Sequence, residues 1–226
     1  MPAPNWPASG PSTCSAADLA GTIRLTSEPD GLAFTAWRAN AEDARRGGLV
    51  IIHDLSGITA DIRDLAATFG ADGYETLAPD FAARASAPAF PWDEIAADLQ
   101  AAIATLAPPV FVVGHGWGGA VAWRAACRRP GIAAVACYDA AGIADALGES
   151  PLCPTILHFG RLDILSPAAM VDAIAEAHPD LAVHRYEAGR GFVAAGPGDQ
   201  DADAARLARL RTLRLFTLSG GGRGEV

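Results

Sequence analysis

The chain of 226 residues contains no lysine, because all 17 of its basic residues are arginine. The absence of lysine excludes Schiff-base chemistry, a lysine general base and the lysine of a P-loop. Positive charge is also outweighed, since 26 acidic residues give a formal net charge of -9 at pH 7. Nucleic-acid binding and docking on an anionic membrane both need clustered positive charge, so neither kind of partner is expected.

Cysteine is scarce, and long apolar runs are missing. No CxxC pair occurs and no cysteine lies at zinc-ligand spacing from a histidine, so no zinc site is expected. Nothing else in the sequence implies a metal or an organic cofactor. No apolar run approaches the ~20 residues of a membrane span, and residues 1–15 lack the pattern of a signal peptide. Free thiols in a reducing compartment predict a cytoplasmic protein. The four cysteines are Cys14, Cys127, Cys137 and Cys153.

The composition predicts one domain with two loose ends. Residues 1–17 are rich in Pro, Ser and Ala and predict a loose lead-in, whereas the glycine-rich residues 219–226 predict a flexible tail. Hydrophobic residues make up 50% of the chain. A chain of this length buries roughly 70% of its unfolded surface, so residues 18–218 can form a single domain without disulfides or metals.

Short apolar runs alternate with longer helical patterns between these ends. This alternation predicts an α/β fold, with a mostly parallel central sheet and helices on both faces. Helices are predicted at 60–72, 92–106, 117–128, 166–178 and 200–217. Strands are predicted at Leu49–His53, Glu75–Ala78, Val110–Gly114, Ile132–Tyr138, Thr155–Gly160 and Ala182–Glu187, with Gly31–Arg38 as an edge strand.

Functional residues of such sheets lie at the carboxyl ends of the strands. One segment there has a distinctive pattern, since Gly114, Gly116 and Gly118 follow a predicted strand and open a predicted helix. Flanking glycines around a central residue form the strand-turn-helix elbow that lifts a nucleophile above the sheet of an α/β-hydrolase. The central residue is Gly116, which has no side chain.

Four segments in order resemble the dienelactone hydrolase (carboxymethylenebutenolidase-like) family, which has the α/β-hydrolase fold. One stretch resembles the first half of the family's sequence, namely LVIIHDLSGITADIRDLAATFGADGYETLAPDFAARASAP. A second stretch, VVGHGWGGAVAWRAA, resembles the family's nucleophile elbow and the helix after it. HFGRLDILSP resembles the loop of the catalytic acid, and YEAGRGF resembles the segment of the catalytic histidine. The similarity extends from about residue 25 to about residue 217.

The resemblance places the family's triad on altered residues. It implies Gly116 at the nucleophile position, which is cysteine in the family, Asp163 at the acid position and Arg190 at the base position. Gly116 supplies no nucleophilic atom, and a guanidinium stays protonated and cannot act as a base. Ordinary triad hydrolysis is therefore expected to be lost, and Asp163 and Arg190 are expected to form an ion pair instead.

Other family roles carry over to residues that are still suitable. Asp54 matches a glutamate that controls the nucleophile, and Arg84 matches an arginine that binds the carboxylate of the substrate. The resemblance implies an oxyanion hole made by the backbone N–H groups of Leu55 and Trp117. His115 and Ser56 are expected beside the substrate.

Three functions stay open from the sequence. The first is a dienelactone-hydrolase-like protein with a degenerate triad that acts on or binds small esters or lactones bearing a carboxylate. The second is a non-catalytic binding or sensor protein for small carboxylates. The third is a hydrolase with a relocated mechanism that uses Ser56, or a water activated by Asp54 or Asp163. A monomer or a weak dimer is expected.

Overall fold

The computed structural model describes residues 20–28, 30–42, 44–85, 92–194 and 201–222. The predicted lead-in over 1–17, with Cys14, and the last four residues of the predicted tail lie outside these ranges. The strands are β1 (Gly21–Thr26), β2 (Ala33–Ala39), β3 (Gly47–Ile52), β4 (Tyr74–Pro79), β5 (Val110–His115), β6 (Ala134–Tyr138), β7 (Thr155–Gly160) and β8 (Ala182–Tyr186).

These strands form one eight-stranded sheet in the order β1-β2-β4-β3-β5-β6-β7-β8. All pairs from β4 to β8 are parallel, whereas β1 and β2 are antiparallel to their neighbours. The predicted mostly parallel sheet with an α/β-hydrolase fold is therefore confirmed. The parallel arrangement brings the carboxyl ends of β3 to β8 to one edge of the sheet.

A strand is present near the predicted Gly31–Arg38, but the prediction that it forms the edge of the sheet is wrong. The observed strand, β2, lies between β1 and β4, and β1 forms the edge. β1 gives little signal in the sequence because its side chains are mostly half-buried or exposed, with only Leu25 buried. A strand without an apolar run is easily read as part of a loop.

Helices connect the strands and cover both faces of the sheet. Within the described residues they are α1 (Ala60–Ala71), α2 (Ala82–Ala85), α3 (Trp92–Ala104), α4 (Trp117–Arg128), α5 (Ala168–Ala177) and α6 (Ala202–Leu218). Two 3₁₀ turns, Ala141–Ala146 and Phe192–Ala194, complete the list. None of these helices is both long and apolar enough to cross a membrane.

The hydrophobic core consists of two clusters, one on each face of the sheet. α3, α4 and α5 contribute Leu99, Trp123 and Ile174 to the first cluster, and α1 and α6 contribute Phe69 and Phe216 to the second. The strands between the clusters are covered on both sides, as an all-parallel region requires. β3 and β5 are buried at every position.

Glycines let α4 pack closely on the sheet. A Cβ added to Gly118 would lie closer than 3.0 Å to the carbonyl oxygens of Ile52 and His53, and a Cβ on Gly114 would meet the Gly118 carbonyl. The start of α4 is therefore pressed against the carboxyl ends of β3 and β5. This contact brings the loop after β3 beside the turn that leads into α4.

Candidate active site

The turn between β5 and α4 keeps the shape of a nucleophile elbow. Gly116 has φ +56° and ψ −115°, and its N–H donates to the carbonyl oxygen of Tyr138 at 2.8 Å. Residues with a side chain rarely adopt such a positive φ, whereas glycine does so at little cost. The predicted elbow is present, and α4 begins at the next residue, Trp117.

Two other side chains occupy the space above the elbow where a nucleophile would lie. A Cβ built on Gly116 would lie closer than 3.0 Å to Cγ and Oδ2 of Asp54 and to Nη2 of Arg190. No Cβ atom tolerates such distances without movement of its neighbours. Glycine at position 116 and the Asp54–Arg190 pair therefore depend on one another.

The Asp54 carboxylate lies in the predicted oxyanion hole. Its Oδ1 accepts hydrogen bonds from the backbone N–H of Trp117 at 2.8 Å and of Leu55 at 2.9 Å. Burial alone would raise the pKa of Asp54, but these two amides and Arg190 lower it below the ordinary value of 3.8. The two amides predicted for oxyanion binding thus already hold an anion that belongs to the protein.

Arg190 bridges this carboxylate and the acid position. Its Nη2 donates to Asp54 Oδ2 at 2.9 Å, and its Nη1 donates to Asp163 Oδ2 at 3.3 Å and to the Asp139 carbonyl oxygen at 3.4 Å. The predicted ion pair between Asp163 and Arg190 is therefore confirmed. Burial tends to lower the pKa of Arg190, but the Asp54 hydrogen bond and the surrounding carboxylates raise it overall.

Asp163 is buried and is held by a backbone hydrogen bond and an ion pair. It is 3% exposed, and its Oδ1 accepts the backbone N–H of Leu165 at 2.9 Å. Among the described residues, the Arg190 guanidinium is the cation that lies within ion-pairing distance of this buried carboxylate. A buried carboxylate needs such a partner. Arg190 therefore neutralises the charge of Asp163, but it cannot accept a proton as a histidine at this position would.

Asp139, the residue that directly follows β6, is a further acidic residue of the site. It is 2% exposed and has φ +49°, a conformation that aspartate tolerates better than most residues. Its carboxylate accepts the N–H of Gly191 at 2.8 Å and of Gly160 at 3.2 Å. Burial nevertheless raises the pKa of Asp139 to about 6.

His115 and His53 support the site from below. His115 is 7% exposed, packs on Tyr138 with ring centroids 5.0 Å apart, and has no hydrogen-bond partner for either ring nitrogen among the described residues. Burial lowers the pKa of His115 to about 4, so its ring is neutral at pH 7. It is not among the residues that line the cavity described below, and its contact with substrate stays a prediction.

His53 is bound at both ring nitrogens. Nε2 accepts the backbone N–H of Phe81 at 2.9 Å, so the proton is on Nδ1, which contacts the Asp54 carbonyl oxygen at 2.6 Å. The ring therefore positions the residue that fills the oxyanion hole. Within the described ranges, no group of three or more His, Cys, Asp or Glu side chains is arranged to hold a metal ion.

Arg84 and Ser56 are not part of this cluster. Arg84 donates to both carboxylate oxygens of buried Asp98, at 2.8 and 3.2 Å, and to Asp30 at 2.8 Å. These ion pairs make Arg84 a tie between α2, α3 and the loop before β2, whereas its role in binding a substrate carboxylate stays a prediction. Ser56 is exposed in the turn after β3 and also lies outside the cavity lining.

A cavity of about 270 Å³ opens above the elbow. Trp117, Ala120, Ala141 and Leu165 give it an apolar wall. Its charged lining residues are two arginines and two aspartates, namely Arg124, Arg190, Asp139 and Asp145. The site thus combines a small cavity with a charged floor on which Arg190 is the central cation.

Comparisons with known proteins identify the family of this chain. The model of the dienelactone hydrolase family matches residues 34–219. A carboxymethylenebutenolidase of Pseudomonas putida is 31% identical over an alignment of 216 positions, and the alignment includes 81% of this chain and 91% of that protein.

Solved structures share the fold at lower identity. A candidate dienelactone hydrolase from Klebsiella pneumoniae has a TM-score of 0.71 at 20% identity, covering 87% of this chain and 99% of that one. An esterase of Pyrococcus furiosus has a TM-score of 0.67 at 16% identity, covering 90% and 93%. With a family model that spans most of its length, this chain belongs to the dienelactone hydrolase family.

Proposed function

We propose that this family member does not hydrolyse esters through a triad, and that its cavity above the elbow binds a small molecule bearing a carboxylate, ester or lactone group. One observation carries the proposal. Gly116 places no reactive atom at the nucleophile position, and the Asp54–Arg190 pair fills that space. The family's scaffold persists around a site whose chemistry has been replaced by charge pairing.

Each step of acyl transfer lacks a component. Attack on a carbonyl needs a nucleophile and a base that takes its proton, and Gly116 and Arg190 supply neither. The tetrahedral intermediate needs two free N–H donors, and both predicted donors are bound to Asp54 Oδ1. Loss of all three components leaves no route for the family's reaction at this position.

The cavity supports the binding half of the proposal. Its volume of about 270 Å³ is close to the lower end of small-molecule sites, and its apolar wall faces a few charged groups. Arg190 and Arg124 supply positive charge at its lining. This combination favours a compact ligand with an apolar body and a negatively charged or strongly polar group.

A second candidate function is hydrolysis by an activated water. Asp139 favours it, because this carboxylate lines the cavity and has a pKa of about 6, near the value of an effective general base at neutral pH. The Ser56 route receives no such support, since Ser56 is exposed outside the cavity. Water activation by Asp54 is disfavoured by its bonds to two amides and a guanidinium.

The two functions are separated by a hydrolysis assay with a dienelactone and p-nitrophenyl acetate. The variants are Asp139→Asn and the triple variant Asp54→Ala/Gly116→Cys/Arg190→His. If the proposed function holds, the native protein matches the buffer background, and the triple variant, with its nucleophile, base and oxyanion amides restored, exceeds the native rate at least about tenfold.

Native turnover above background would overturn the first function. If Asp139→Asn then abolished that turnover, the second function would be supported. Turnover that survives Asp139→Asn would contradict both. The Gly116→Cys/Arg190→His double variant is the matched control for the triple one, because it retains Asp54 in the space that the new Cys side chain needs.

We further propose that the protein acts in the cytoplasm as a monomer or weak dimer, without nucleic-acid or membrane partners. Its three described cysteines, Cys127, Cys137 and Cys153, are unpaired, which suits a reducing compartment. A net charge of -9 disfavours polyanionic partners. Size-exclusion chromatography with light scattering checks the oligomeric state.

A further inference from the structure

Building on the proposed function, we propose that the backbone N–H groups of Leu55 and Trp117 and the Arg190 guanidinium form a cradle for the carboxylate of a small ligand, and that the Asp54 side chain occupies this cradle until the ligand displaces it. We refer to these three donors as the carboxylate cradle.

The structure already shows the cradle holding a carboxylate. Asp54 Oδ1 accepts both amides, at 2.8 and 2.9 Å, and Oδ2 accepts Arg190 Nη2 at 2.9 Å. All three distances are those of good charge-assisted hydrogen bonds. A ligand carboxylate in the same position would satisfy the same donors, so exchange leaves no N–H group of the cradle unpaired.

Arg190 keeps its place when Asp54 leaves. Its Nη1 is bound to Asp163 and to the carbonyl oxygen of Asp139, while Nη2 alone reaches Asp54. Asp163 is buried and fixed by the Leu165 amide, so this anchor does not depend on Asp54. Nη1 therefore anchors the guanidinium, and Nη2 is the atom that binds Asp54 or a ligand carboxylate.

Asp54 is able to vacate the cradle, whereas Asp163 is not. The Asp54 side chain is 35% exposed, compared with 0% for Asp163, and the two residues that follow Asp54, Leu55 and Ser56, are exposed in a turn. A rotation of Asp54 toward solvent thus moves a charge into water rather than into the core. The energetic cost of that step is modest because water solvates the freed carboxylate.

The cavity beside the cradle indicates the rest of the ligand. Trp117 provides one amide of the cradle and also lines the cavity with Ala120 and Leu165. A ligand anchored by its carboxylate would extend an apolar body along this wall. The nearby carboxylates of Asp139 and Asp145 oppose a second negative charge, so a compact monocarboxylate fits better than a dicarboxylate.

Sodium benzoate is a suitable probe, because it combines one carboxylate with a compact apolar ring. Titrations followed by ¹H–¹⁵N NMR would report the Leu55 and Trp117 amides directly, with benzamide as the neutral control. In the native protein, benzoate should shift both amides at saturation and benzamide should not. The Asp54→Ala variant, freed of the internal competitor, should bind benzoate at least about tenfold more tightly than the native protein.

Asp180→Ala is the matched control for the charge change. Asp180 is exposed in the turn between α5 and β8, at the edge of the sheet opposite the cradle, and lies outside the cavity lining. Its removal should change benzoate affinity by less than about threefold. Adding Arg190→Ala to Asp54→Ala should abolish the gain, because the cradle then loses its cation.

The inference is overturned if saturating benzoate leaves the Leu55 and Trp117 amides of the native protein unshifted, or if Asp54→Ala and Asp180→Ala strengthen binding equally. The native titration keeps the test valid even if Asp54→Ala fails to fold. Benzoate has no ester bond to cleave, so this experiment and the hydrolysis assay fail independently. Turnover without benzoate binding would reject the cradle and the proposed function together, whereas no turnover and no binding would reject the cradle alone.

Discussion

At the scale of single residues, Gly116 is fixed by two separate constraints. Its φ of +56° disfavours any side chain, and the space where a Cβ would lie is filled by Asp54 and Arg190. Gly57 shares only the first constraint, since its φ is +76° but nothing lies within 4 Å of a Cβ built on it. The two glycines therefore separate backbone strain from steric exclusion.

We expect Gly57→Ala to lower the free energy of unfolding by about 1–2 kcal/mol, from the positive φ alone. Gly116→Ala should cost about 3–5 kcal/mol, because the new methyl group must also displace the Asp54–Arg190 pair. Urea unfolding of both variants measures the difference.

The steric part of this cost should depend on Asp54. In the Asp54→Ala background, Gly116→Ala should cost about 1–2 kcal/mol less than in the native protein, because the methyl group then meets only the end of the Arg190 side chain. Equal costs for Gly116→Ala in the presence and absence of Asp54 would show that the carboxylate does not occupy the nucleophile position in solution.

Asp139 gives the site a pH dependence of a defined sign. Burial raises its pKa from 3.8 to about 6 in the folded protein, so between these values the folded state holds a proton that the unfolded chain has released. The contribution of Asp139 to stability is therefore present at low pH and is lost as the pH rises through about 6. Asp54 acts in the opposite direction, because its amide and Arg190 hydrogen bonds outweigh burial and lower its pKa.

Asp139→Asn should remove the pH dependence of stability that comes from Asp139 and leave the one that comes from Asp54. Relative to the native protein, the variant should gain about 1–3 kcal/mol of unfolding free energy between about pH 4 and pH 7. The measurement is a pair of urea titrations at each pH, and the difference between the two proteins cancels the contribution of Asp54. A difference that is constant across the range would show that Asp139 titrates normally.

At the scale of elements, the sequence predicted the buried parts of the fold better than the exposed ones. β3, β5 and β7 are mostly apolar and are buried at every position, and the sequence predicts each to within a few residues. β1 escaped detection because the edge of an antiparallel pair needs little apolar surface. Because the sequence does not predict β1, it indicates β2 as the edge strand.

The same contrast holds for the site. The order of the segments was enough to bring Gly116, Asp163, Arg190 and Asp54 together, because consecutive parallel strands end at one edge of the sheet. Sequence could not show that Asp54 turns into the oxyanion hole, since this depends on contacts with Trp117 and Arg190 far along the chain.

The ion pairs of Arg84 could not be predicted from the sequence for a related reason. Its partner Asp98 lies on α3 and is 1% exposed, and the pairing becomes visible only when the helices are placed in space. A buried carboxylate requires a cation, so the arginine nearest to Asp98 is committed to it. Roles carried over by resemblance hold only where the neighbours of a residue carry over as well.

At the scale of the whole molecule, the site depends on a helix from the end of the chain. α6 closes one face of the sheet through Phe216, which is 0% exposed and stacks on Phe111 of β5 with ring centroids 4.4 Å apart. Just before α6, the Asp201 carboxylate accepts the N–H of Gly189, the residue that precedes Arg190. The packing of α6 and the position of Arg190 are thus physically connected.

Phe216→Ala should therefore weaken the molecule and its site together. Loss of this buried ring next to Phe111 and Tyr74 should lower the unfolding free energy by about 3–5 kcal/mol. Leu218→Ala, two residues later on the same helix, removes a side chain that is 76% exposed and should change stability by less than about 0.5 kcal/mol. Urea unfolding measures both variants, and hydrogen exchange of the Gly189 and Arg190 amides measures the connection to the site.

Faster exchange at these two amides is expected in Phe216→Ala at urea-free conditions that keep the protein folded, and not in Leu218→Ala. The physical reason is that α6 holds Asp201, and Asp201 holds the backbone from which Arg190 extends. If Phe216→Ala destabilises the protein but leaves the exchange of Gly189 and Arg190 unchanged, the segment around Arg190 is held by its own contacts with Asp54, Asp139 and Asp163. In that case the charge cluster, rather than the packing of α6, determines the shape of the site.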